Sequence, residues 1–221
     1  MLIQWIGHSC FYLTTKENVK IAIDVYDDTI GLPTLQQPAD IVLCTHDHYD
    51  HYNQAYLDSL TNGYTFINQA GSHEVCGLKI TGVKTYHDKH NGADRGEVIA
   101  FVIEVDGMRI LHAGDLGCMP DQSFFDAIGK IDILMIPVGG VYTVDAAEAL
   151  EFMDKLDPNI TIPMHFLTPE LKLDVATVHE FLKLAGKKEY DIAHLGSGVF
   201  DINVANLKKR NRIMLMECSN C

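Results

Sequence analysis

Basic residues are scarce in this chain. Lys and Arg together number 17 against 30 Asp and Glu, so the formal net charge is 17 − 30 = −13. Binding along a phosphate backbone relies on Lys and Arg to neutralise phosphates, so this balance argues against nucleic acid as the main partner. Long apolar runs are missing too: no stretch approaches the roughly 20 residues that a membrane-spanning helix needs. The first residues, Met1-Leu2-Ile3-Gln4-Trp5, carry neither the basic stretch nor the apolar segment of a secretory signal. The expected location is the cytoplasm. Cysteines are few and scattered, at positions 10, 44, 76, 118, 218 and 221. In mostly apolar surroundings they read as reduced, packed thiols rather than a disulfide framework. Cys218-x-x-Cys221 supplies only two of the four ligands of a structural zinc site. The chain has no internal repeat, no low-complexity segment and no evident linker.

What is present is a soluble, globular profile: 221 residues, 47% hydrophobic and 21% charged. This fits one domain over 1–221, with 207–221 as a flexible tail or a last strand. Within it, one run is unusual: Thr45-His46-Asp47-His48-Tyr49-Asp50-His51. Four strong metal-ligand side chains, His46, His48, Asp50 and His51, fall within six positions, directly behind the apolar Ile41-Val42-Leu43-Cys44. The apolar run reads as a buried strand, and packing alone gives no reason to end a strand in imidazoles and a carboxylate. Neutral imidazole suits zinc and its neighbours in the transition series, and a carboxylate adds charge and can take a second metal. In extended backbone, residues i and i+2 point the same way, so His46 and His48 can grip one ion together. Asp50 and His51 follow where the chain must turn, and can face a second ion beside the first.

Strands are predicted over 2–6, 10–14 and 20–25, with turns at Gly7 and at Lys16-Glu17-Asn18, as in an antiparallel meander. Residues 27–40, with Gly31, Pro33 and Pro38, read as an irregular connection. A short helix is expected over 53–60, and strands over 64–67 and 78–83. The clearest hairpin pairs 98–105 with 108–111 around Asp106-Gly107, a dipeptide that tolerates the positive φ angles of a tight turn. A further apolar run, 131–138, ends at Gly139-Gly140. Asp145 opens a helix, with Glu148 placed for a capping box and Ala146, Ala149, Leu150 and Met153 on one face. Asp174 is placed to cap a second helix that carries Val175, Val178, Leu182 and Ala185 and stops at Gly186. Between the two, 160–164 reads as a strand leading into His165. Periodicity alone gives a mixed α and β domain.

Three more ligand-type residues sit where a strand hands over to a loop: His87, Asp115 and His165. His90, three residues away, competes with His87 on spacing. His112 reads as a hydrogen-bonded histidine at a strand end, with a proton donor or substrate contact as the alternative. His73 and His194 fall in loop-like stretches and His179 in a helix, and all three read as ordinary. Arg95 either contacts an anionic substrate group or anchors its own loop by pairing with a carboxylate, and the loop role is favoured.

The spacing His46-x-His48-x-Asp50-His51 resembles the signature of the metallo-β-lactamase superfamily of metal-dependent hydrolases. The likeness runs to about His165. His87-Asp88 followed by Gly92 and Arg95-Gly96, Gly-Asp-Leu-Gly at 114–117, Pro-Val-Gly-Gly-Val-Tyr-Thr at 137–143 and Pro163-Met164-His165 resemble one bacterial branch of predicted metal-dependent hydrolases. A more distant similarity is to the L-ascorbate-6-phosphate lactonase group. The resemblance implies an α+β fold, an αββα sandwich of two mixed sheets flanked by helices. It also implies two divalent ions, zinc by preference, with manganese or iron as other occupants. His46, His48 and His87 would hold one, Asp50, His51 and His165 the other, and Asp115 would bridge them, which makes Asp50 and Asp115 the catalytic carboxylates. His8, in a Gly-His-Ser turn, and Asp24 are then expected to orient ligands without touching metal. Tyr142 and Thr143 would line the pocket. The implied reaction is attack by a hydroxide lying between the ions on an ester, lactone or phosphodiester of a small molecule. Two other classes share the fold. A di-iron redox branch carries Glu where this chain has His48, and imidazole there argues for hydrolytic metals. A metal-binding protein without catalysis would have no physical reason to keep all seven ligands.

Overall fold

The computed structural model describes residues 1–208 and 211–219. The β-rich runs of the first half fold as strands β1 (Leu2–Gly7), β2 (Cys10–Thr14), β3 (Lys20–Ile23) and β4 (Ile41–Leu43), followed by helix α1 (Gln54–Ser59). Then come β5 (Thr65–Ile67), β6 (Gly71–Val75), β7 (Leu78–Tyr86), β8 (Glu97–Val105) and β9 (Met108–His112). The second half alternates α2 (Gln122–Ile128), β10 (Ile133–Pro137), α3 (Ala146–Leu156), β11 (Ile160–Met164) and α4 (His179–Lys187). It closes with β12 (Asp191–His194), β13 (Val199–Asp201) and β14 (Arg212–Leu215).

These strands form two mixed sheets, ordered β13-β1-β2-β3-β4-β5 and β12-β14-β11-β10-β9-β8-β7-β6. The αββα sandwich expected from the family resemblance is the architecture observed. Trp5, Phe11, Leu13, Ile21 and Ile23 from the first sheet and Phe101, Ile103 and Ile110 from the second are buried in one core cluster between the layers. Every residue of β10 and of β11 is buried, as parallel strands covered on both faces require. Among the described residues, no helix is long and apolar enough to cross a membrane.

Local chemistry accounts for most elements. Asp106 and Gly107 adopt φ angles of 51° and 80°, and the expected β8–β9 hairpin closes around them. Asp145 and Glu148 complete the capping box at the start of α3. Other expectations are corrected. Helix α4 begins at His179, not near Asp174, and Val178 at its start has no side-chain cap. Tertiary bonds override the local signal there: the Ala176 amide donates to the Gly139 carbonyl, and the Leu167 amide to the Ala176 carbonyl. His73 and His194 lie in β6 and β12 rather than in loops. Helix α2 and strands β6, β12 and β13 carry too little periodicity to be read from sequence. Within the C-terminal stretch, β14 runs parallel between β11 and β12. Cys10, Cys44, Cys76 and Cys118 are free thiols. Cys218 is disulfide-bonded, contrary to the expectation of reduced thiols, and Cys221 lies outside the described residues.

The consequence for function is one of direction. β3 and β4 are parallel, as are β9, β10 and β11. β1 and β7 each run antiparallel to a neighbour that is itself antiparallel to β3 or β9. Within each sheet these strands therefore end at the same edge. The ends of β1, β3, β4, β7, β9 and β11 are followed within three residues by His8, Asp24, the 45–51 loop, His87, Asp115 and His165. Strand ends of this kind are where α/β proteins gather functional groups.

Candidate metal centre

All seven side chains named as ligands from the sequence converge. The ligand atoms of His46, His48 and His87 lie within 4.8 Å of one another, and so do those of His8, Asp50, His51 and His165. Asp115 sits between the two groups. Its Oδ1 is 3.1 Å from His51 Nε2, and its Oδ2 is 3.3 Å from His87 Nε2, 3.2 Å from His165 Nε2 and 4.0 Å from His46 Nε2. His48 and Asp47 face solvent at least in part, whereas Asp50, His51, His87, Asp115 and His165 are buried.

Neighbouring groups fix which ring nitrogen points inward. Asp24, fully buried at the end of β3, accepts from the Thr45 amide (2.8 Å), the Thr45 hydroxyl (2.8 Å) and His51 Nδ1 (2.8 Å). Having given its proton to Asp24, the Thr45 hydroxyl accepts from His46 Nδ1 at 3.0 Å. His87 Nδ1 donates to the Tyr142 carbonyl at 3.1 Å. On all three rings Nδ1 is the nitrogen committed to a protein partner, which leaves Nε2 facing Asp115. His8 Nε2 in turn donates to Asp50 Oδ2 at 3.3 Å.

The result is a buried cluster of imidazole nitrogens around one carboxylate. Among the described residues, His46 Nε2, His51 Nε2, His165 Nε2 and Asp115 Oδ1 have no hydrogen-bond partner. Buried polar atoms are nearly always satisfied, and buried imidazole and carboxylate atoms without partners are groups that a cation would satisfy. Electrostatics agrees. Burial pushes the His46 imidazole down to about 3 and that of His8 to about 4, which keeps both neutral. Burial works against a charge on His51 as well, but Asp115, Asp50 and Asp24 outweigh it and push this group well up. Burial opposes the charge on Asp115, yet His165 and His51 hold it well below the usual carboxylate range. The cavity demands positive charge, and the imidazole-rich donor set fits a zinc-like ion.

The remaining sequence candidates separate clearly. His90 is exposed and pairs with Asp94 (2.5 Å), leaving His87 as the histidine at the site. His112 is satisfied at both nitrogens: Nε2 donates to the Ser9 carbonyl (2.9 Å) and Nδ1 accepts from the Gly114 amide (3.2 Å). It is the hydrogen-bonded strand-end histidine expected. Asp88 accepts backbone N–H bonds from His90, Gly92, Asp94 and Arg95 at 2.7–3.0 Å, which organises the 88–96 loop beside His87. Gly117 explains its place in Gly-Asp-Leu-Gly by close approach, because a Cβ there would lie 2.1 Å from the His87 carbonyl carbon. Arg95 anchors its loop through its backbone amide and, among the described residues, makes no side-chain ion pair, while its guanidinium carbon sits 4.6 Å from the centre of the Tyr142 ring. Sequence reasoning gave no role to Thr45 or to the Tyr142 carbonyl. Thr45 was detectable in principle, lying next to His46 in a buried strand end. A carbonyl leaves no residue-type signal.

A fold of two stacked mixed sheets with a histidine and aspartate centre at one edge defines a class of metallohydrolase scaffold. The chain belongs to the β-lactamase superfamily: the family model described as a beta-lactamase superfamily domain matches residues 2–165. A metal-dependent hydrolase of Thermoplasma acidophilum is 31% identical over 191 residues, covering 76% of this chain and 84% of that protein. One from Nanoarchaeum equitans is 32% identical over 212 residues, covering 85% and 93%. Among solved structures, a Thermotoga maritima protein described as a zinc-dependent hydrolase of the metallo-β-lactamase superfamily superposes with a TM-score of 0.76. It is 33% identical and covers 97% of this chain and 98% of that one.

Proposed function

We propose that this protein is a hydrolase of small molecules that works with two divalent cations, zinc by preference. His46, His48 and His87 would hold one ion and Asp50, His51 and His165 the other, with Asp115 shared between them. The observation that carries this reading is the set of unpartnered Nε2 atoms gathered around the buried Asp115 carboxylate. When bound, such ions lower the pKa of a water and polarise a carbonyl or phosphoryl oxygen. The chain's own contribution is positioning and proton handling. Asp24 and Thr45 lock the rings of His46 and His51, and the Tyr142 carbonyl locks that of His87. His8 donates to and steadies the Asp50 carboxylate, which is more exposed than Asp115. The substrate is an ester, lactone or phosphodiester, and relatives named as metal-dependent hydrolases support the reaction class.

The test is metal analysis of the purified protein followed by a screen of ester, lactone, phosphodiester and thioester substrates, with zinc and manganese added separately. Turnover should disappear in both His48→Ala and Asp115→Ala. Undiminished turnover in those variants would place the chemistry elsewhere.

A further inference from the structure

Three loops meet at the solvent side of the metal centre, and each contributes a side chain that the mechanism leaves unused. Tyr49, from the 45–51 loop, is 52% exposed, and its phenol lies within electrostatic reach of both Asp50 and Tyr142. Tyr142 comes from the loop after β10, and its carbonyl holds His87. Arg95 comes from the 88–96 loop. Both of its contacts lead back to His87 in one step: its amide donates to Asp88, the next residue, and its guanidinium lies over Tyr142.

The state of that guanidinium is informative. Nearby cations are committed, Lys89 to Glu148 and Lys84 to Glu97. The acidic groups of its own loop are committed too, Asp94 to His90 and Asp88 to four backbone amides. Among the described residues, Arg95 has no carboxylate partner, in a chain whose carboxylates outnumber its cations by 30 to 17. A planar guanidinium stacked on an aromatic face keeps its edge donors free, in the fork geometry that matches carboxylate and phosphate. Four backbone bonds to Asp88 hold the loop that carries it, so little ordering is left to do on binding.

We propose that Arg95 reads an anionic group, a carboxylate or a phosphate, carried by the substrate next to the bond that is cut, with Tyr142 holding the guanidinium in place. This deepens the hydrolase reading and rests on it for the location of the reacting bond. In a strongly acidic chain the bulk field repels anions, so a substrate of this kind needs a local cation at the mouth of the site.

The test uses zinc-loaded protein titrated calorimetrically with orthophosphate in one arm and acetate in the other. Arg95→Gln, on an exposed side chain, should bind one of these anions about tenfold more weakly, and the arm that loses affinity tells phosphate from carboxylate. Arg95→Lys keeps the charge but not the flat fork, and should recover only part of the loss. Tyr142→Leu keeps the carbonyl that holds His87 and should weaken the same anion by a smaller factor. Affinities for both anions that are equal in wild type and Arg95→Gln, including no measurable binding by either, overturn the assignment. The hydrolase reading fails separately, by absence of turnover on the ester, lactone, phosphodiester and thioester panel while the anion-binding difference persists.

Discussion

Asp24→Asn is the sharpest probe of how this centre is organised. Asp24 is fully buried and spends both oxygens on donors: Oδ1 on the Thr45 amide, Oδ2 on the Thr45 hydroxyl and His51 Nδ1, each at 2.8 Å. Its backbone is left-handed, with φ of 49°, a conformation that Asn tolerates as well as Asp. The substitution therefore changes hydrogen-bond polarity with little change in shape. If the new NH2 takes the Oδ2 position, it confronts two donors. The conflict with His51 is relieved by removing the proton from Nδ1, which leaves the ring's proton on Nε2, the nitrogen that faces Asp115 and would bind metal. If the NH2 takes the Oδ1 position, it opposes the backbone amide of Thr45 and disturbs the strand end that carries His46. Loss of a partner of this kind lowers metal affinity by about 10- to 100-fold, equivalent to roughly 1.4–2.8 kcal/mol. Zinc competition against a chromophoric chelator measures the affinity, which should weaken by that factor in Asp24→Asn. An affinity unchanged from wild type would refute the claim that Asp24 orients His51 for metal binding.

Two further changes test the supporting loops. Gly117→Ala places a Cβ 2.1 Å from the His87 carbonyl carbon and 2.3 Å from the Asp88 nitrogen, so backbone must move. We expect a loss of about 1–3 kcal/mol, read as a lower Tm by roughly 2–4 °C per kcal/mol, together with weaker zinc binding; an unchanged Tm and affinity would contradict the close approach. For Asp88, burial nudges the carboxyl up, but the amides of Arg95, His90, Asp94 and Gly92 outweigh it and hold it at about 2. A depressed folded-state pKa means that ionisation favours the folded loop. The contribution is complete above about pH 4 and is lost as pH falls through about 2. Asp88→Asn, whose amide can accept at one oxygen only, should speed hydrogen exchange at amides 90–95 at neutral pH, and unaltered exchange would count against the clamp.

The parts of the fold that could be read in advance are those fixed by neighbours in sequence. Asp106-Gly107 specifies its hairpin because positive φ is a property of the dipeptide, and Asp145 with Glu148 specifies a helix start because both partners lie within one turn. Asp174 carried the same kind of signal and failed, since the residues after it are bound to Gly139 and Leu167 and never become helical. β14 was ambiguous for a related reason: its four residues are a strand only because β11 and β12 stand on either side of it.

The same division runs through the site. His46, His48, Asp50 and His51 are legible because four ligand types in six positions have no use in packing. His87 and His90 were not separable by spacing, and what separates them is Asp88, which turns the chain so that His90 faces solvent beside Asp94 while His87 stays at the end of β7. The convergence of Asp115 and His165 on the 45–51 loop follows from strand direction: strands that end at one edge deliver their next residues to one place, however far apart they lie in sequence. The groups that select the metal-facing nitrogen are Asp24, a threonine hydroxyl and the carbonyl of Tyr142. Each reaches its histidine through backbone placement, so ring orientation is a property of the folded sandwich and is set before any ion arrives. A centre built this way is held by the hydrophobic core between the sheets, and the metal inherits its geometry from that packing.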